Sequence, residues 1–175
     1  VEGRKLQKGD MIAFRAPKTD LKNMNDRSLY PEFVPRPVYT VRVVLGPQDD
    51  AFTDEGIKTF LSEEYAVTLD FDRMGCRLEG APIQHKETAD IISDGIVFGS
   101  VQVPSAGQPI IMLADRQTTG GYTKIATVIT ADFRILGQLK AGDKVCFEAV
   151  SIAHAQDALL TQRAALRLLH KSFNR

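Results

Sequence analysis

The sequence predicts a mainly β protein: an antiparallel, closed β-barrel carrying a few helices, one of them C-terminal. Three observations lead there. Short runs rich in Val, Ile and aromatic residues recur along the chain, about eight in all, each too short for a typical helix. Gly, Pro and Asp turn chemistry separates them. Helical composition is confined to three segments, the longest at the C-terminal end. So many short strands leave exposed edges unless the sheet closes on itself, and closure makes a barrel.

The bulk numbers narrow the class. At 175 residues the chain suits one well-buried core. Its 22 basic and 22 acidic residues balance, so no net field draws it to nucleic acid or to an anionic membrane. No apolar run approaches the ~20 residues of a membrane span. Val1 is not a start methionine, and the native N-terminus is expected upstream. Cys76 and Cys146 lie in apolar, strand-like surroundings, where a free thiol behaves as a small hydrophobe. A cytoplasmic location fits this sparse cysteine content.

Taken in order, the first strand expected is Met11–Phe14, fed by a Gly-Asp turn at Gly9-Asp10. This opening has a counterpart near the far end. Leu6, Gly9, Asp10 and Phe14 recur at identical spacing as Leu139, Gly142, Asp143 and Phe147. The second copy closes a domain, so the first is read as closing another domain upstream, in an internally duplicated protein. Residues 1–38 are thus expected to be the end of a preceding repeat plus a linker, Pro17–Pro37 being polar and Pro-punctuated. The barrel spans 39–152, and 153–175 form the C-terminal helix.

Within the barrel, Tyr39–Leu45 alternates Tyr39, Val41, Val43 and Leu45 on one face, as a half-buried strand requires. Gly46–Asp50 breaks it. Thr53 suits an N-cap ahead of a short helix to Leu61, with Asp54 and Glu55 in its first turn and a stripe of Phe52, Ile57, Phe60 and Leu61. Tyr65–Asp70 and Cys76–Leu78 read as strands joined by the Phe71–Gly75 turn, with Arg73 expected to pair locally with Asp70 or Asp72. Ile96–Val103 and Pro109–Ala114 read as strands about a Pro104–Gly107 turn. A further strand, Thr123–Ile129, follows Gly120-Gly121, and Gly-Gly between two such runs signals a hairpin. Thr130 is placed to cap a brief helix over Ala131–Leu136, and Val145–Val150 is the last strand. Ala153–Phe173 is rich in helix formers, with Leu159, Leu166, Leu169 and Phe173 on one face.

The residues with most chemistry cluster in one stretch. Gln102, Asp115, Gln117, Thr118, Thr119, Gly120, Gly121, Tyr122 and Lys124 set donors and acceptors around one turn system. Five polar residues ahead of Gly-Gly exceed what a hairpin needs, so the segment is either a solvated loop or the lining of a pocket. Lys124, in an otherwise apolar run, either faces outward or points into a polar cavity. Thr118–Gly121 offers amides for a phosphate, although a plain hairpin accounts for it as well. No P-loop, dinucleotide fingerprint, metalloprotease helix or nucleophile elbow is present. His85, His154 and His170 show no ligand spacing, so no metal is expected.

Four stretches together carry a resemblance: GPQDDAFTDEG (Gly46–Gly56), DRMGCRLEG (Asp72–Gly80), SDGIVFGSVQVPSAGQPIIMLADRQTTGGYTKIATVITAD (Ser93–Asp132) and QLKAGDKVCF (Gln138–Phe147). They resemble the allophanate hydrolase subunit 2 family, also called the 5-oxoprolinase C-subunit or KipA-type family, over roughly residues 1–150. Members are about twice this length, so the chain looks like the C-terminal half of one. The resemblance implies a cyclophilin-like barrel. It also implies membership of an ATP-dependent complex with a homologous B subunit and an unrelated A subunit, together opening 5-oxoproline to glutamate. Two alternatives come with it: a carboxyltransferase-type domain of a biotin-dependent urea carboxylase, and a non-catalytic regulator that binds a histidine-kinase inhibitor. Opening a lactam requires charge developing on the amide oxygen to be stabilised, which the polar cluster suits. With no ATP cradle or nucleophile evident, the barrel is expected to supply part of a shared site, and the fragment alone to be inactive.

Overall fold

The computed structural model describes residues 3–13 and 35–173. The chain divides into two units, Val1–Val34 and Pro35–Arg175.

In the first unit the Gly-Asp turn forms as expected. The Asp10 carboxylate accepts the Gln7 N–H at 2.8 Å, the Asp10 N–H returns to Gln7 O at 3.1 Å, and Arg4 pairs with Asp10 at 2.7 Å. Gly9 supplies the left-handed residue at φ +99°. The counterpart turn in the second unit is built alike: Lys140 N–H donates to Asp143 at 2.9 Å, Asp143 N–H to Lys140 O at 3.0 Å, and Gly142 sits at φ +89°. The two sequence copies therefore close the same turn. The outcomes beyond it differ. Met11–Ala13 form no strand, and Phe14 lies outside the described residues. The physical difference is pairing. The second copy runs into a strand flanked on both sides, whereas Met11 and Ile12 are 97% and 61% exposed. The proposed linker before Pro35 also lies outside the described residues.

Among its described residues the second unit contains nine strands: β1 (Val38–Leu45), β2 (Tyr65–Phe71), β3 (Gly75–Glu79), β4 (Asp90–Gly95), β5 (Ser100–Gln102), β6 (Ile110–Met112), β7 (Thr119–Tyr122), β8 (Lys124–Val128) and β9 (Lys144–Ala149). Its helices are α1 (Asp54–Ser62), α2 (Phe133–Leu136) and α3 (Ile152–Phe173). Seven strands close a barrel in the order β1-β8-β5-β6-β3-β2-β9. Its pairings are antiparallel except β1 with β9, where Val38 to Val43 run parallel to Lys144 to Ala149. The mainly β, barrel-forming architecture with a C-terminal helix is the one the sequence predicts.

Alternation explains the core. Val41 and Val43 of β1, Tyr65 and Val67 of β2, Cys76 and Leu78 of β3, and Val145 and Phe147 of β9 are buried, while their strand neighbours are exposed or half-buried. Burial pushes the Cys76 thiol up to about 12, which suits a core residue. Helix α1 starts where expected, Thr53 Oγ1 accepting the Gly56 N–H at 2.9 Å. Its Phe60 stacks on Phe147 with ring centroids 4.3 Å apart.

Several expectations need correction. The Ile96–Val103 run is not one strand: β4 ends at Gly95, the chain turns through Ile96–Gly99, and β5 begins at Ser100. Here the chain leaves one sheet for another. β4 and β7 form a separate two-stranded ribbon, whereas β5 belongs to the barrel. Gly120-Gly121 is not a hairpin turn, since both residues lie inside β7 and neither has positive φ. The Pro104–Gly107 turn does form, closed by Gly107 N–H to Pro104 O at 2.8 Å with Gly107 at φ +74°. Thr130 caps nothing. It opens a 3₁₀ turn over Thr130–Asp132, and Asp132 holds that turn to β1 by accepting from the Arg42 backbone N–H at 2.9 Å and its guanidinium at 2.6 Å. Arg73 pairs with Asp115 at 2.7 Å rather than with Asp70 or Asp72, because the Asp72 carboxylate is taken by the Met74 and Gly75 N–H groups of its own turn.

Candidate functional site

A cleft of about 670 Å³ opens beside the barrel wall. Its walls are the β2–β3 hairpin (Leu69, Asp70, Phe71, Asp72, Met74, Gly75, Arg77), Ile110 and Met112 of β6, Gln102 of β5, and Gln117 and Tyr122 at the ribbon. The hairpin reaches outward because β2 and β3 slip register between Val67 and Phe71, bending the strand away from the core.

Three of the nine residues singled out from sequence line this cleft: Gln102, Gln117 and Tyr122. Gln102 is buried and lies opposite Ile110 on one side and Lys124 on the other. Its Nε2 donates to Tyr122 O at 3.4 Å. Gly120 permits this arrangement by lacking a side chain, since a Cβ there would sit 2.6 Å from Ile96 Cδ1 and 2.9 Å from Gln102 Nε2. Asp115, Thr118, Thr119, Gly120, Gly121 and Lys124 are not among the lining residues. Asp115 is engaged with Arg73, and Thr118 contributes its carbonyl to the Ile96 N–H at 2.9 Å.

Lys124 does not face outward but points into a polar cluster. Its side chain is only 2% exposed, and Nζ ends 2.8 Å from Asp94 Oδ2 on the ribbon strand β4. Gln48 completes the cluster. It accepts the Lys124 N–H at 3.1 Å, donates its own N–H to Lys124 O at 3.1 Å, and donates Nε2 to Asp94 at 3.2 Å. The Lys124 ammonium, followed by the Gly95 N–H and Gln48, holds the Asp94 carboxyl below its ordinary range. This cluster ties ribbon, barrel and the Gly46–Asp50 loop together, and so sets where β7 and Tyr122 lie.

The sequence reading missed Arg77. Within the Cys76–Leu78 run, alternation turns its side chain away from the core, a signal that period-two patterning carries. Its guanidinium has no side-chain partner among the described residues, leaving a fork of N–H donors at the cleft. Asp70 and Asp72 are the carboxylates of the lining, and Asp72 is committed to its turn. A guanidinium without a side-chain partner, lining the same cleft as two carboxamides and a phenol, can bind a small anion that also carries an amide.

Other expected chemistry is located differently. The amides of Thr118–Gly121 form no anion-binding nest, because Thr119–Tyr122 is an extended strand paired with β4. These residues do not fit a phosphate cradle. His85 Nε2 lies 3.1 Å from both Val103 O and Thr123 Oγ1, its ring packs on Phe52, and burial lowers its pKa. Among the described residues no group of three His, Cys, Asp or Glu side chains could hold a metal ion, and no helix is long and apolar enough to cross a membrane.

Known proteins resemble this chain along nearly its whole length. It is 39% identical over 158 residues to a protein of Haemophilus influenzae named as the C subunit of 5-oxoprolinase, covering 89% of this chain and 48% of the relative. The Escherichia coli protein of the same name is 32% identical over 165 residues, covering 93% and 51%. The chain thus spans about half the length of the curated relatives it matches. The crystal structure of the Kluyveromyces lactis urea amidolyase shares the fold, with a TM-score of 0.67 at 23% identity over 72% of this chain and 8% of that one. A family model described as carboxyltransferase domain, subdomain A and B, matches residues 1–149. The closed barrel, the resembling motifs and these matches agree: the chain belongs to the carboxyltransferase-domain family that includes the 5-oxoprolinase C subunits.

Proposed function

We propose that the chain is the C-terminal half of a 5-oxoprolinase C subunit, and that its cleft receives 5-oxo-L-proline within a complex completed by a homologous B subunit and an A subunit. The observation that carries this reading is that Arg77, without a side-chain partner among the described residues, lines one cleft with Gln102, Gln117 and Tyr122. The substrate has one carboxylate and one lactam. Arg77 takes the carboxylate as a fork of two parallel hydrogen bonds. A carboxamide N–H or the Tyr122 hydroxyl then donates to the lactam oxygen, stabilising the charge that develops there when the ring opens. The cleft volume lies within the range of small-molecule sites and exceeds what a five-membered ring fills, leaving room for groups from a partner. ATP supplies the driving force in this reading. Since the Thr118–Gly121 strand offers no phosphate cradle, we assign nucleotide binding to the partner subunits. The duplicated Gly-Asp turn supports a preceding repeat that folds like this one.

The alternative, a carboxyltransferase domain in a biotin-dependent urea carboxylase system, draws on the family description and on a 28% identical relative from Emericella nidulans named putative urea carboxylase. One experiment separates the readings. Arg77→Met and Gln117→Ala are introduced into the full-length chain, co-expressed with the companion subunits, and ATP-dependent 5-oxoproline hydrolysis is followed. Turnover at subsaturating substrate is expected to fall tenfold or more, about 1.4 kcal/mol each. Asp115→Asn, outside the cleft, is expected to leave it unchanged. Wild-type rates in both cleft variants would remove this cleft from the site. Absence of 5-oxoproline hydrolysis by the wild-type assembly, with carboxyl transfer to urea instead, would favour the alternative.

A further inference from the structure

Two charged residues of the β2–β3 hairpin stand together in the cleft wall with no partner inside the fold. β2 pairs Val67 with Leu78 and Phe71 with Cys76, so Thr68, Leu69 and Asp70 lie opposite the single residue Arg77. This bulge breaks the alternation of β2. Leu69 and Asp70 are consecutive, yet both are exposed, where a regular strand turns one of them inward. Asp70 and Arg77 each lie one residue from the Phe71–Cys76 pair, which makes them cross-strand neighbours. Both line the cleft, and neither side chain has a hydrogen-bond or ion-pair partner among the described residues. The other carboxylate of the lining, Asp72, is occupied by the Met74 and Gly75 N–H groups at 2.7 and 3.0 Å.

The substrate proposed above carries its polar groups in a row along one edge of the ring: carboxylate, ring N–H, carbonyl. Carboxylate and nitrogen are bonded to the same carbon, so the groups that receive them have to be neighbours, one cationic and one an acceptor. Arg77 takes the carboxylate, and a carboxamide or Tyr122 takes the carbonyl oxygen. The N–H between them needs an acceptor next to Arg77.

We propose that Asp70 accepts the ring N–H of 5-oxo-L-proline and holds the ammonium that this nitrogen becomes when the ring opens, an inference that rests on the function proposed above. Apart from the hydrolysis of ATP itself, the oxygen of one water ends on the carbonyl carbon as a second carboxylate. The two hydrogens of that water end on the nitrogen as the carbon–nitrogen bond breaks. The nitrogen thus changes from a neutral donor to a cation beside Asp70, and a carboxylate there favours the opened ring over the closed one. A neutral carboxamide oxygen accepts the same N–H but gains little from the new charge.

The chain spans about half the length of its curated relatives, so the test uses the full-length chain assembled with its companion subunits. Titration calorimetry without ATP follows two probes: 5-oxo-L-proline, and its carbocyclic analogue, which keeps carboxylate and carbonyl but has a methylene in place of the ring N–H. Asp70 and Arg77 are exposed, so Asp70→Ala, Asp70→Asn and Arg77→Met are expected to melt like wild type. Wild type is expected to bind the lactam about tenfold more tightly than the analogue. Asp70→Ala is expected to lose that preference by weakening the lactam alone, and Asp70→Asn, whose amide oxygen still accepts, to keep part of it. Arg77→Met is expected to weaken both probes alike. Equal affinity of wild type for the two probes, or full preference in Asp70→Ala, would overturn the inference; if Arg77→Met still weakens both, the cleft stands. Tighter binding of both probes by Asp70→Ala would show Asp70 competing for Arg77, and would overturn the inference in the same way. Wild-type affinity of Arg77→Met for both probes, or no binding of either by the wild-type assembly, would overturn the proposed function together with the inference.

Discussion

Gly120 and Gly121 are adjacent, alike in sequence and in the same strand, yet substitution by Ala should separate them. A Cβ at Gly120 falls 2.6 Å from Ile96 Cδ1 and 2.9 Å from Gln102 Nε2. Relief to an ordinary ~3.5 Å contact requires the Ile96 terminus to retreat by about 0.9 Å. Neither side chain has space for this, Ile96 being 5% and Gln102 1% exposed. Both clashing atoms are side-chain ends, so the response is rotameric: about 0.5–1.5 kcal/mol for each displaced χ angle, within the range for overpacking. Against this stands a gain of about 0.5–1 kcal/mol from replacing Gly in a strand. The net expectation for Gly120→Ala is a loss of about 1–2 kcal/mol. That lowers Tm by about 2–8 °C for a protein of this size. At Gly121 the nearest atoms are Ile91 O at 3.4 Å and Ser93 Oγ at 3.9 Å, so Ala is accommodated and melting is expected to stay at wild type or rise slightly. Thermal unfolding followed by circular dichroism, with urea titration for ΔG, measures both. Equal melting of the two variants, or a greater loss at Gly121, would refute the steric account of this strand.

Three further outcomes follow from the same geometry. Gly56→Ala should destabilise by about 2 kcal/mol or more, although Ala is the better helix former by about 1 kcal/mol, since the new Cβ would lie 2.4 Å from the backbone oxygen of Gln84; a rise in Tm would contradict this. Tyr65→Phe should be neutral or stabilising by about 1 kcal/mol, because the buried hydroxyl has no hydrogen-bond partner among the described residues and burial pushes its pKa up to about 12. A loss on urea unfolding would show that the hydroxyl has a stabilising contact. Asp94→Asn should destabilise more than Lys124→Met, since Asn strands a buried ammonium whereas Met leaves a carboxylate that is 54% exposed to water. The Asp94 carboxyl titrates below its unfolded value of about 3.9. Its contribution is therefore complete above that pH and disappears as pH falls through the lower folded value, so the Tm gap between wild type and Asp94→Asn should narrow progressively as pH falls below the unfolded value.

What the sequence determined by itself is local. Period-two alternation located β1, β2, β3 and β9 to within a residue or two, because each has one face on the core and one outside. The Thr53 cap and the Pro104–Gly107 turn were legible because each is a short-range hydrogen-bond pattern set by adjacent residue types. The same holds for the two Gly-Asp turns, whereas the strand expected after the first needs partners that lie elsewhere in a sheet. Tertiary structure alone decided the ribbon and the cleft. Strand β4, with Ile92 95% exposed, has little patterning of its own and exists because β7 pairs with it. That pairing removed Gly120 and Gly121 from a turn and made one of them a matter of space. Lys124 meets Asp94, and Arg77 comes to line one cleft with Gln117, only once the barrel closes and sets the ribbon beside it. Periodicity tells each side chain which face it occupies, and the order in which strands pair determines which other residues share that face.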